Sequence, residues 1–357
     1  MKRVFAQDIA VKIDFPEEQE GIAYLDVTKP PIKLHGVYFE DGFLRRAPED
    51  VAAATSKEVH ELARKCAGGR VRFRLKGSEY VKLHVESPNA PSNSELSPGM
   101  ALYGIDLYKD GAYTQVSSKY SDSFTFTRRW GKDEEPLITL NLPHGRPLSR
   151  LLIGVEEGAE IIEAPDYSLK KPIVFYGSSI TQGNCSSRPG MSYENILSRK
   201  LDFDYINLGF SGSAKGEDAI ADYIATLDMS IFVLDYDHNA PNPDHLRGTH
   251  EKMFLKVREK HPDLPILILT RPRPKHKLIG DVAARQAVVR ETYENALARG
   301  DKNVWYIPGT ELIRDEIADD WSVDGIHPTD LGFFSMADAI APTLEKMIKL
   351  VKDRNVK

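Results

Sequence analysis

The hydrophobic pattern of this 357-residue chain changes period near residue 170, and that change limits the folds open to it. Beyond it lie five short apolar runs: Ile173-Val174-Phe175, Tyr205 to Leu208, Ile231 to Leu234, Ile266 to Leu269 and Val304 to Ile307. Between them, segments 192–201, 217–227, 245–261 and 282–299 repeat apolar residues every three or four positions, and a last such segment runs from about 330 to 351. Apolar strands alternating with helices predict a parallel sheet covered on both faces, a three-layer α/β arrangement.

Before the change the period is two. Val71-Arg72-Phe73-Arg74-Leu75 and Val81-Lys82-Leu83-His84-Val85 alternate as half-buried strands do. Residues 102–108, 123–126 and 148–155 are further candidates, with Gly68-Gly69, Ser97-Pro98-Gly99 and Lys109-Asp110-Gly111 as turns between them. Many short strands of this kind predict an antiparallel β-sandwich of a jelly-roll-like type. The stretch from Pro48 to Cys66 reads equally as a short helix or an irregular edge. The expected organisation is therefore two domains, 1–165 and 166–357.

The net charge of −6 argues against a general nucleic-acid or anionic-membrane binder. No apolar run approaches about 18 residues, so no membrane span is expected. Met1 to Asp8 is not followed by an apolar stretch of signal-peptide length, which makes a cytoplasmic protein the expectation. Cys66 and Cys185 lack the spacing of a zinc site or a disulfide framework, and His245 and His250 are five apart rather than four. No metal and no organic cofactor are expected.

Ser179 stands just past the first apolar run, where a strand passes into a helix. Asp324 and His327 stand three apart in the Gly- and Pro-punctuated loop Asp324-Gly325-Ile326-His327-Pro328. A serine hydroxyl needs a base to become a nucleophile, and an imidazole needs a carboxylate to fix its tautomer; these three residues supply the set. Gly212, Asn239 and Arg271 also fall just past expected strands, where parallel sheets build their sites.

Gly177-Ser178-Ser179-Ile180-Thr181 resembles the first block of the SGNH/GDSL hydrolases, and Asp324-Gly325-Ile326-His327-Pro328 resembles their last. Asn207-Leu208-Gly209-Phe210-Ser211-Gly212 is similar to the second block, and Asp235 to Asn239 occupies the place of the third. The first half, including Ala67 to Phe73, resembles the β-sandwich that precedes some members. The resemblance implies Ser179 as nucleophile, His327 as base and Asp324 as its partner. It also implies an oxyanion hole of the Ser179 and Gly212 N–H groups and the Asn239 amide, with Gly209 as the alternative second-block glycine. Two positions depart from the pattern: Ser178 replaces the usual Asp before the nucleophile, and Asn239 follows His238 rather than a Gly-x pair.

His238, Arg188 and Arg271 are candidate walls of a substrate pocket, while Arg273 reads as surface loop charge. Cys185 reads as a small buried residue on the helix after Ser179. The implied function is a serine esterase acting on short acyl groups, most simply acetyl, carried by a small molecule or oligosaccharide. An acyltransferase, lipase or thioesterase would use the same residues, and a carbohydrate-binding protein on an inactive scaffold is the non-enzyme alternative. The oligomeric state is open, a homodimer included.

Overall fold

The structure, a computed structural model, describes residues 1–13, 20–88, 94–117, 123–127, 130–277 and 280–355. It divides into two compact units, and the division is not a single cut. The first unit comprises 1–46, 64–166 and 188–190; the second comprises 47–63, 167–187 and 191–357. The boundary expected at 165/166 misses two exchanged segments. Residues 47–63 form the helices Glu49–Thr55 and Lys57–Ala63, whose Ala52, Val59 and Leu62 bury beside Ile220 and Ile224 of the second unit.

The second unit is a five-stranded parallel sheet in the order Tyr205–Gly209, Ile173–Gly177, Ile231–Asp235, Ile266–Leu269, Val304–Ile307. Period-two alternation divides each strand between two cores. Val174, Tyr176, Phe232, Leu234, Ile266 and Ile268 face one way, toward the helices Asp218–Thr226, Pro243–Lys260 and Val282–Ala298. Ile173, Phe175, Ile231, Val233, Leu267 and Leu269 face the other, toward Tyr193–Leu201 and Asp330–Asn355. The strand Ile173–Gly177 sits between the two that follow it in sequence, so the chain reverses its direction of travel across the sheet at its carboxyl end. A crevice opens at such a reversal.

The first unit pairs its strands antiparallel in two sheets. Arg3–Phe5, Glu160–Glu163, Arg70–Lys76, Leu137–Asn141, Asp106–Lys109 and Ala112–Val116 follow one another in the larger, with Lys33–His35 also on Arg70–Lys76. Ser123–Thr127, Tyr80–Glu86, Arg150–Glu156 and Ile22–Asp26 form the smaller. Val71, Phe73 and Leu75 from one and Val81, Leu83 and Val85 from the other join a single apolar core, the packing of a sandwich. One expected strand is corrected. Residues 99–103 are a short helix begun by Pro98, and the strand starts only at Asp106.

Candidate active site

The strand Ile173–Gly177 is buried along its whole length and passes directly into the helix Ser179–Gln182. Ser178 caps that helix, its hydroxyl accepting from the Ile180 N–H at 3.2 Å. A serine hydroxyl caps a helix about as well as an aspartate carboxylate. Ser179 follows as the first helical residue, 3% exposed. Its N–H belongs to the first turn, where no carbonyl four residues back is available.

The turn at Asp324 is built by its own carboxylate. Oδ1 accepts from the N–H groups of Ile326 (2.9 Å) and His327 (2.8 Å), which leaves Oδ2 for His327 Nδ1 at 2.8 Å. Gly325 takes the left-handed φ of +79° that the tight turn requires. His327 Nε2 then lies 2.9 Å from Ser179 Oγ, across 148 residues of chain. Burial pushes the Asp324 carboxyl up, but the bonds from the His327 backbone and ring and from Ile326 outweigh it and hold the group below its ordinary range.

The second-block glycines separate by their hydrogen bonds. The Gly209 N–H donates to Asn207 Oδ1 at 2.9 Å, and Asn207 Nδ2 donates to the Thr181 carbonyl at 2.6 Å. Asn207, oriented by the Gly209 N–H, therefore ties its strand to the helix that begins at Ser179. The N–H of Gly212 has no hydrogen-bond partner among the described residues, and its φ of +72° needs a glycine. Asn239 is half-buried, with its amide oxygen enclosed and unpartnered. Its side-chain NH2 makes no hydrogen bond among the described residues.

Beneath these groups lie buried acids that sequence reading missed. Asp235 Oδ2 accepts from Thr181 Oγ1 and Tyr193 Oη, each at 3.1 Å. Burial, then the nearby Asp237, pushes its carboxyl up to about 8. Glu194, equally buried, is also raised well above its ordinary value by burial. The signal was a carboxylate ending a fully apolar strand, a position where a charge has no solvent.

The pocket candidates have different surroundings. His238 is held neutral, down to about 3, by burial and then by Arg271, His327 and Arg273. Arg271 is 7% exposed, with its N–H on Asp237 Oδ1 at 3.1 Å. Arg273 is not surface charge: it is 9% exposed and donates to the Gly325 carbonyl within the Asp324–His327 turn. Arg188 is held by polar and aromatic side chains. It pairs with the buried Asp106 at 3.1 Å, meets Tyr108 Oη and stacks 3.8 Å from the Tyr113 ring centre. Gly190 follows it against the same groups, donating to Asp106 at 2.8 Å. Cys185 lies in a turn with φ +73° rather than on a helix. His250 is a core residue, stacked on Tyr236 and bonded to Thr292. Among the described residues no group of three or more His, Cys, Asp and Glu is placed to hold a metal ion.

A serine, an imidazole and a carboxylate hydrogen-bonded in series at the carboxyl ends of a parallel sheet are the arrangement of the α/β serine hydrolases. The model of the GDSL-like lipase/acylhydrolase family matches residues 170–345. A second, GxDLY, the N-terminus of SGNH-hydrolase-type esterases, matches 22–161, where Gly104-Ile105-Asp106-Leu107-Tyr108 fits its name. The chain belongs to the SGNH/GDSL hydrolases and is an esterase/acylhydrolase. It is similar in structure to a Bacteroides ovatus protein assigned as a GDSL-like lipase, with 29% identity and a TM-score of 0.80 over 92% of this chain and 98% of that one. A salicylyl-acyltransferase from a tetracycline biosynthetic pathway shares the fold at 20% identity and a TM-score of 0.75, over 92% and 98% of the two chains. So does an acetyl xylan esterase from the rumen bacterium Butyrivibrio proteoclasticus, at 14% identity and 0.61, over 92% and 99%. No curated protein sequence matches the chain.

Proposed function

We propose that the protein is a serine esterase that removes short acyl groups, acetyl first among them, from carbohydrate esters through an acyl-enzyme on Ser179. The observation that carries this reading is the unbroken run of hydrogen bonds from Ser179 Oγ through His327 to Asp324. Ser179 Oγ attacks the ester carbonyl carbon while its proton passes to His327 Nε2. The bond to the alcohol breaks, and the imidazolium returns that proton to the departing oxygen. Water then repeats the sequence on the acyl-enzyme, releasing the acid and restoring the hydroxyl. Asp324 holds the Nδ1–H tautomer and stabilises the imidazolium throughout.

The unengaged N–H groups of Ser179 and Gly212 and the Asn239 amide receive the oxyanion. Side chains supply every proton and charge in this scheme, so it calls for no metal or organic cofactor. The polar surroundings of His327, with His238 near it and Arg273 on its turn, favour a small polar ester over a long alkyl chain. The carbohydrate part of the reading draws on the esterase relatives, and a cytoplasmic setting would suit small glycosides. Acyl transfer to an alcohol is the second reading, favoured by the overall likeness to the salicylyl-acyltransferase.

Hydrolysis of 4-nitrophenyl esters from acetate to octanoate, by wild type and Ser179→Ala side by side, tests the proposal. Activity that falls with chain length and disappears in the variant is expected. Equal activity in both proteins would remove Ser179 from the mechanism, and a preference for octanoate would move the substrate to lipids. An added acceptor alcohol that diverts product from acid to new ester would establish the second reading.

A further inference from the structure

Arg271 and Arg273 are buried at the strand ends, and the Nε of each is enclosed without a hydrogen-bond partner. The Arg273 guanidinium has the Gly325 carbonyl as its one hydrogen-bond partner among the described residues, and its Nε is enclosed without any. The carboxylate that offsets it at a distance is Asp324, whose two oxygens are already engaged by His327 and Ile326. The Arg271 guanidinium is joined to Asp237 by one long bond, its Nη2 donating to the Asp237 carbonyl at 3.5 Å. Its Nε stands 3.7 Å from Asp237 Oδ2, beyond hydrogen-bond length, and both atoms are enclosed without partners. A third guanidinium, Arg285, is satisfied by Asp281 and by the carbonyls of Asp237 and Ala240.

The two groups are tied to the imidazole end of the site. Arg273 grips the turn that carries His327, and Arg271 and Arg273 both act on the His238 ring, which also feels His327. A guanidinium more than nine-tenths buried, whose paired carboxylate stands beyond hydrogen-bond length or is already engaged elsewhere, is costly to hold unless something absent from the free protein completes it. Its planar fork of donors matches a carboxylate or a phosphate.

We propose that Arg271 and Arg273 recognise an anionic group on the ester, so that acylated acidic sugars are preferred over neutral ones. This rests on the esterase reading and adds the charge of its substrate. The test uses three acetyl esters with the acetyl group at one position: a methyl glucoside, the matching methyl glucuronide and the matching 6-phosphate. Acetate release is measured with wild type and Arg271→Gln. Wild type is expected to favour one of the two anionic esters by ~10-fold or more in kcat/KM, and the variant to bring that ratio close to one.

The anion that gains identifies itself as carboxylate or phosphate. Binding of the three deacetylated glycosides to Ser179→Ala, by calorimetry, reports on recognition without turnover or the Arg271 variant. Equal kcat/KM and equal affinity for neutral and anionic compounds would overturn the inference and leave the esterase intact. If neither these esters nor 4-nitrophenyl acetate is cleaved, the esterase reading fails, and the calorimetry still decides whether the site prefers anions.

Discussion

Replacing Gly209 by alanine would disturb both stability and the placing of Ser179, and by a calculable amount. An added Cβ there would overlap the Gln182 backbone nitrogen and stand 2.6 Å from the Thr181 carbonyl carbon and 2.8 Å from Gln182 Cα. These are backbone atoms of the helix that begins at Ser179, so no rotamer change relieves them. Restoring ordinary contact, at about 3.5 Å, requires strand and helix to part by about 1 Å, the overlap with the Gln182 nitrogen being the largest. Overpacking of this kind costs about 1–3 kcal/mol, or ~2–12 °C in Tm for a domain of this size. Ser179 moves with its helix, and a shift near 1 Å stretches its 2.9 Å bond to His327 beyond useful length. A misplacement of that size costs about 10²-fold in rate. The assays are thermal melting, kcat/KM on 4-nitrophenyl acetate and the rate of labelling by a serine-directed phosphonate. Gly212→Ala serves as the melting control: nothing lies within 4 Å of its Cβ, leaving only left-handed strain of roughly 1–2 kcal/mol. A Gly209→Ala protein that melts within 1 °C of wild type and labels at the wild-type rate would refute the account.

Asn239→Ala should lower kcat by about 10²–10³-fold with a much smaller change in KM, because an oxyanion donor acts on the transition state more than on bound ester; a change confined to KM would place Asn239 in substrate binding instead. Asp235→Asn tests the buried acid beneath Thr181. The folded carboxyl titrates at about 8 and the unfolded one near ~3.9, so the folded state keeps a proton that the unfolded chain releases in between. Wild-type stability therefore falls as pH rises from ~4 to about 8 and levels off above, whereas asparagine has nothing to titrate. The Tm of the variant minus that of wild type should climb across that window, and a difference independent of pH would show that Asp235 ionises freely.

How much of this was legible in the sequence depends on how local each determinant is. The five strands and intervening helices of the parallel sheet follow from period alone, since each buried run carries its own apolar residues. The helices at 49–63 did not read clearly, because seven residues apiece are too few to show a period and their partner surface lies on the helix Asp218–Thr226. Leu137–Asn141 and Glu160–Glu163 escaped as strands because short half-buried segments are defined by the strands they pair with. Residues 99–103 misled in the opposite way: apolar content suggested a strand where Pro98 starts a helix.

The site divides along the same line. Ser179, Asp324 and His327 could be read because each sits in a turn whose chemistry is written within a few residues, down to the carboxylate that folds its own loop. The third block could not be read so directly, and the structure supplies a reason. Arg285, from the helix Val282–Ala298, donates to the Asp237 carbonyl at 2.9 Å and to the Ala240 carbonyl at 2.7 Å. Asp237 in turn accepts the N–H of Arg271 from the neighbouring strand end. The loop carrying His238 and Asn239 is thus pinned on both sides by residues some 30 to 50 positions away. A loop held from outside can present its amide without the local Gly-x pattern of the family.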